Sequence, residues 1–181
     1  MKKYITPLMV LIGLFVLTGT TWALTINTTT TPQWTGSDNS NLSSTQIATI
    51  VGYSGTLEIF YKQDVGALYD SGSFASSYAT VFSNTVNDPS DATITYISGQ
   101  PYISGFPLYL YVKDGKQDPA FYIFDISEWN GTETIDIRGF WSGRGAISHV
   151  TIYGVTLVPE PSILILLGTG LLGIVGVGRR K

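Results

Sequence analysis

Short apolar runs with period-two alternation, separated by turn residues, restrict this chain to strands over most of its length. Leu57, Ile59 and Tyr61 alternate with Glu58, Phe60 and Lys62, and Ala92 to Ser98 reads the same way. Leu108, Leu110 and Val112 alternate with Tyr109, Tyr111 and Lys113. Phe121 to Ile126 is apolar on both faces, which predicts a central, covered strand. Asp114-Gly115 with Pro119 joins the last two runs as a hairpin. Asn130-Gly131 is a second turn signal, followed by Ile135, Ile137 and Gly139 in alternation, and Ile147 to Tyr153 is the final strand. A weak helical period runs through Phe74, Tyr78, Val81 and Phe82, predicting a helix near Ser73 to Phe82. No repeat of roughly 20–50 residues is present. The expected fold is all-β: a single β-sandwich domain, jelly-roll-like, over residues 46–157. Residues 24–45, rich in Thr, Ser and Asn, read as a leader with an edge strand at its start.

The two ends of the 181-residue chain have a different chemistry. Lys2 and Lys3 precede an apolar stretch from Tyr4 to Leu17, and small or polar residues follow as far as Ala23. Residues 1–23 therefore read as a signal peptide for the Sec machinery, with signal peptidase cutting after Ala23. At the other end Pro159, Glu160 and Pro161 precede an uncharged apolar run from Ile163 to Gly178, closed by Arg179, Arg180 and Lys181. A helix over residues 162–178 is predicted, starting after the prolines, which cannot continue it backwards. As helix, the sixteen residues from Ile163 to Gly178 span ~24 Å, at the short edge for a bilayer core of ~30 Å. A cytoplasmic basic tail obeys the positive-inside bias. The prolines hold Glu160 extended, a form suited to a processing enzyme.

In that order, within residues 158–181, these three parts resemble the sorting tag of PEP-CTERM proteins of Gram-negative bacteria. The resemblance implies recognition through Pro159, Glu160, Pro161, Arg179 and Arg180 by an exosortase-like membrane transpeptidase, with cleavage near the triplet. It implies an inner-membrane precursor held by the C-terminal helix, then an extracellular, cell-surface or biofilm-matrix product linked to exopolysaccharide. The stretch from Gly139 to Gly154 is similar to the closing strand of many short PEP-CTERM proteins and carries no catalytic residue to transfer.

Composition removes most chemistries. Without cysteine there is no disulfide scaffold, iron–sulfur site or catalytic thiol, and a lone His149 excludes sites needing two imidazoles. Between Leu24 and Val158 twelve acids face five bases, which argues against nucleic acid as a partner. Glu58, Asp125, Glu128, Glu133 and Asp136 are the carboxylates available for paired hydrolysis, and they read as solvated surface groups. No Gly-x-Ser-x-Gly elbow accompanies His149, which reads as a strand histidine bonded to a neighbour. The protein is not expected to be an enzyme; a secreted polysaccharide hydrolase or lyase is the least supported reading.

No cofactor is expected. A structural calcium is the one inorganic candidate, with Asp88, Asp91, Asp114 and Asp118 in acidic loops. Aromatics remain. Trp141 lies in a Gly-rich segment beside Arg144, and Tyr109 and Tyr111 share a strand face, so these four are the candidate glycan contacts. The plainer reading puts such aromatics in a β core. The expected role is structural or adhesive; the alternative is a carbohydrate-binding module using exposed Trp and Tyr.

Overall fold

The computed structural model describes residues 23–31, 33–84, 88–114, 116–143 and 145–156; the signal-peptide residues 1–22, Arg144 and the tag at 158–181 lie outside them. The alternating runs form nine strands among the described residues: β1 (Leu24–Asn27), β2 (Gln33–Gly36), β3 (Glu58–Asp64), β4 (Tyr78–Ser83), β5 (Asp91–Tyr96), β6 (Leu108–Lys113), β7 (Phe121–Asp125), β8 (Ile135–Arg138) and β9 (His149–Gly154). One helix, α1 (Ser44–Val51), stands between β2 and β3. Four strands pair in the order β1-β8-β5-β4 and five in the order β2-β7-β6-β9-β3.

Inward-facing side chains of both sheets meet in one cluster, which makes the pair a sandwich. Ile26, Tyr78, Ile94 and Ile137 come from the four-stranded sheet, and Phe60, Leu110, Phe124 and Ile152 from the other. A second cluster covers the outer face of the five-stranded sheet. There Ile47 and Ala48 of α1 join Leu42, Leu57, Tyr109, Tyr111, Phe121, Ile123 and Tyr153. With both faces covered, all six residues of β6 and of β9 are buried.

The expected hairpin is present: β6 and β7 pair antiparallel from Tyr109–Asp125 to Lys113–Phe121. β7 lies between β2 and β6, as its two apolar faces require. Other expectations change. The edge strand at Leu24 is there, but the leader also supplies β2, so residues 24–36 belong to the sheets. Because β1 runs parallel to β8, the order departs from an antiparallel jelly roll. The helix expected near Ser73 to Phe82 is a 3₁₀ turn, Ala75–Ser77, followed by β4. Six ladder partners on β5 decide that segment over its weak helical period. Conversely, α1 was not expected; Ser43 and Gln46 close its first turn reciprocally as a capping box.

β3 also breaks its alternation. Ile59 pairs with Tyr153 and Tyr61 with Ile152, so Phe60 is an extra residue, a β-bulge. Phe60 and Tyr61 are thereby both buried while Ile59 is exposed. A Cβ on Gly154 would lie 2.3 Å from the Phe60 ring, so glycine at the end of β9 makes room for the bulge.

The registers define two ends of the sandwich. At one, β5, β7 and β9 finish at Tyr96, Asp125 and Gly154, and β1, β3, β4, β6 and β8 begin. The chain enters there at Leu24 and leaves at Thr156, so we term it the exit pole. The β4–β5, β6–β7 and β8–β9 connections lie at the opposite, far pole.

Candidate functional site

The far pole gathers most of the candidate residues from three separate stretches of sequence. Its connections are tied to one another by main chain: Phe140 N–H donates to Ser90 O at 2.9 Å, Ile147 N–H to Pro89 O at 2.8 Å and Ser148 N–H to Lys113 O at 2.7 Å. Two carboxylates add to this. Asp91 accepts the Gly139 N–H at 2.6 Å on one oxygen and the Asn84 amide at 2.6 Å on the other. Asp114 accepts Lys116 and Gln117 N–H on Oδ1, at 2.6 and 3.3 Å, and Ala146 N–H on Oδ2 at 2.8 Å. Asp at the start of a turn does this readily, because its short side chain reaches the next N–H groups. Two of the four calcium candidates therefore organise loops. Asp88 lies in the β4–β5 connection and Asp118 in the β6–β7 connection. Among the described residues no three His, Asp or Glu side chains converge to hold a metal ion.

Trp141 is anchored. Its indole N–H donates to Pro119 O at 2.8 Å, and its ring packs against Tyr122 and Phe140 at 5.4 and 5.7 Å. Its backbone is left-handed, at φ +49. The Tyr109–Tyr111 platform is corrected: the two residues share a face, but the α1 layer buries both. The cause is the helix that the strand pattern did not reveal.

Beneath the far pole lies a charged cluster. The Lys113 ammonium donates to Asn39 O at 3.0 Å and Asp114 O at 2.9 Å. Burial lowers its pKa, opposed by the neighbouring Asp114 and Asp38 carboxylates. His149, paired with Lys113 across the sheet, puts Nδ1 3.6 Å from Asp64 and its ring 5.5 Å from the Tyr111 ring. Burial, then Lys62, pushes its pKa down to about 4; half-exposed Asp64 opposes this and Lys113 adds to it. Because the folded state resists protonation more than the unfolded chain, stability is full above the ordinary value near 6.5 and falls as pH drops towards 4. At roughly 1.4 kcal/mol per unit this amounts to about 3 kcal/mol. Denaturant unfolding at pH 7 and pH 4 is expected to show a smaller loss for His149→Gln than for the wild type. Equal losses would contradict the assignment.

Beside this cluster an open groove of ≈ 420 Å³ lies between β2 and α1. Leu42, Ile50 and Phe121 form its apolar wall, and Thr35, Asp38 and Gln46 its polar side. The Ser40 N–H, at 2.8 Å, and the Ser40 hydroxyl hold the Asp38 carboxyl below the usual carboxylate range, with Lys113 adding to the effect. Sequence reading missed this groove along with α1. The capping box and the Ile47, Ile50, Val51 spacing were the available signals.

The hydrolase candidates come from several strands and connections. Glu58, exposed on edge strand β3, accepts the Thr156 hydroxyl. Asp125 and Glu128 are exposed, and Asp125 accepts the Ser127 N–H at 2.9 Å. Asp136, in the other sheet, accepts the Thr93 hydroxyl at 2.9 Å and pairs with Arg138 at 3.2 Å. Glu133 follows Asn130-Gly131, and its carbonyl accepts the Trp129 indole N–H at 2.8 Å.

Comparison with family models identifies residues 157–181 as a PEP-CTERM protein-sorting motif. The chain is thus a protein with a PEP-CTERM sorting motif at its C-terminus. The motif implies processing by exosortase-type machinery, with a membrane-anchored precursor and export to the cell surface. Curated proteins and solved structures give no match. Among the described residues no helix is long and apolar enough to cross a membrane; the expected span at 162–178 lies outside them.

Proposed function

We propose that this chain is a non-enzymatic envelope or matrix component: a β-sandwich exported through an N-terminal signal, trimmed at its C-terminal tag, and displayed for a structural or adhesive role among exopolysaccharide. The sorting motif at residues 157–181, attached directly to a sandwich that ends at Gly154, carries this reading. The adhesive part rests on the far pole, which lies opposite the attachment to the tag and carries the Asp38 groove beside its tied loops. Asp136 pairs with Arg138, and Asp125 and Glu58 accept hydrogen bonds from Ser127 and Thr156, which favours structural work for these carboxylates over hydrolysis.

The masses of the terminal peptides of the protein, recovered separately from host matrix and membrane fractions, test this. The expected matrix form starts at Leu24 and ends near Pro159. Protein found only in membranes, with Ile163 to Lys181 still attached, would refute the processing step and leave a tail-anchored envelope protein.

A further inference from the structure

We propose that the exit pole is a docking surface for the processing machinery: a protein partner presenting basic side chains around an apolar pocket. This rests on the reading of residues 157–181 as a processed tag.

Three observations converge there. First, the β5–β6 connection exposes large apolar side chains: Phe106 is 72% accessible and Tyr102 51%, with Ile97 beside them in sequence. Phe106 adjoins the point where the chain departs, because a Cβ on neighbouring Gly105 would lie 3.3 Å from Val155 O. Second, the pole is acidic. Glu58, Asp125 and Glu128 are exposed at strand ends or in the turn that follows, and Glu133 is in the β7–β8 connection. The basic residues described, Lys62, Lys113, Lys116 and Arg138, all lie towards the far pole, by register or by connection. Third, only two residues, Leu157 and Val158, separate Thr156 from Pro159. Fully extended, the three steps from Thr156 to Pro159 reach ~10 Å, so an enzyme that grips Glu160 also meets this pole.

A lone apolar patch beside a membrane-inserted tag also suits a lipid surface. The acidic rim decides against it, since anionic headgroups would repel it, whereas a basic protein rim gains attraction and orientation. An exposed aromatic pair inside a charged rim is the usual anatomy of a protein contact.

The test is a pulse-chase measurement of tag removal from the full chain in its host. Tyr102→Ser with Phe106→Ser is expected to slow processing at least fivefold. Asp125→Lys with Glu128→Lys, which reverses the charge and also gives up the Asp125 bond to Ser127 N–H, is expected to slow it similarly. Leu68→Ser with Tyr69→Ser, at side chains more exposed still but in the β3–β4 connection, should leave the rate unchanged. All six positions are exposed, and thermal unfolding of the processed products checks that the domains remain folded. If wild type is processed and both exit-pole pairs match its rate, the docking surface is refuted and the tag reading stands. If wild type is not processed at all, the tag reading falls and the docking surface with it. Slowed processing together with Phe106-dependent sedimentation of the mature protein on phosphatidylethanolamine/phosphatidylglycerol vesicles would assign the pole to lipid instead, overturning the proposal.

Discussion

Tyr78→Phe is expected to destabilise the mature protein by about 2–4 kcal/mol although it removes a single oxygen atom. That oxygen joins two distant connections. The Tyr78 hydroxyl donates to Gly131 O at 2.7 Å and accepts the Ile103 N–H at 2.7 Å, both bonds buried. Burial pushes its pKa up to about 12, so it stays protonated and can donate at any ordinary pH. Phenylalanine keeps the ring contacts with Tyr61 at 5.5 Å, Trp129 at 5.7 Å and Tyr96 at 5.8 Å. It leaves a buried N–H and a buried carbonyl without partners, each costing about 1–3 kcal/mol. The joint has little room to adapt: Gly131 sits at φ +81, and a Cβ there would lie 2.0 Å from Ile103 O. A fall in Tm of roughly 10 °C, with little change in the denaturant m-value, is the measurable form. A variant melting with the wild type would show that the two backbone groups find other partners.

Strands with long, regular alternation were legible because a side-chain period of two needs no knowledge of partners. β6 and β7, with the Asp114–Pro119 turn between them, belong to this class. The four-residue β2 does not. In Gln33–Gly36 only Trp34 stands out, and the strand exists through ladder bonds to β7. α1 carried a local signature, Ser43 three residues before Gln46, but at eight residues it is too short to dominate a window of strands. The bulge at Phe60 had no signature of its own: Phe60 and Ile59 exchange faces only because β9 offers one partner too few.

Site residues followed the same division. Asp91, Asp114 and Trp141 were identifiable one at a time as unusual groups in loops. That their loops meet is a property of topology, since β5, β7 and β9 all begin at one end of the sandwich. Read singly, each carboxylate looks like a ligand. Read together, Asp91 and Asp114 are acceptors that fasten the β8–β9 connection to two others. The Tyr109–Tyr111 pair failed for the opposite reason: alternation correctly places them on one face but says nothing of what covers it. The exit pole combines both cases, because Phe106 is ordinary in sequence and gains meaning only through its neighbour Gly105, which packs on Val155 where the chain leaves.

Asp114→Ala is expected to cost about 3–5 kcal/mol because it acts twice. It takes the acceptor from Lys116, Gln117 and Ala146 N–H groups in a residue only 3% exposed. It also removes the first of the two carboxylates that favour the charge on Lys113, itself 2% exposed, leaving Asp38 to do so. The two causes separate experimentally. Adding Lys113→Met to Asp114→Ala relieves the charge but not the lost N–H acceptors. Recovery of half or more of the loss would place most of the cost in the buried ammonium. No recovery would place it in the loop bonds. The loop arm has its own local readout. Hydrogen exchange at Ala146 N–H should accelerate in Asp114→Ala by more than the global loss of stability explains, while Ile103 N–H, held by Tyr78 at the other pole, should track global unfolding. An Asp114→Ala protein with wild-type stability and unchanged exchange at Ala146 would show that neither the loop bonds nor the charge depends on this carboxylate, and that the main-chain ties from Phe140, Ile147 and Ser148 suffice to hold the far pole together.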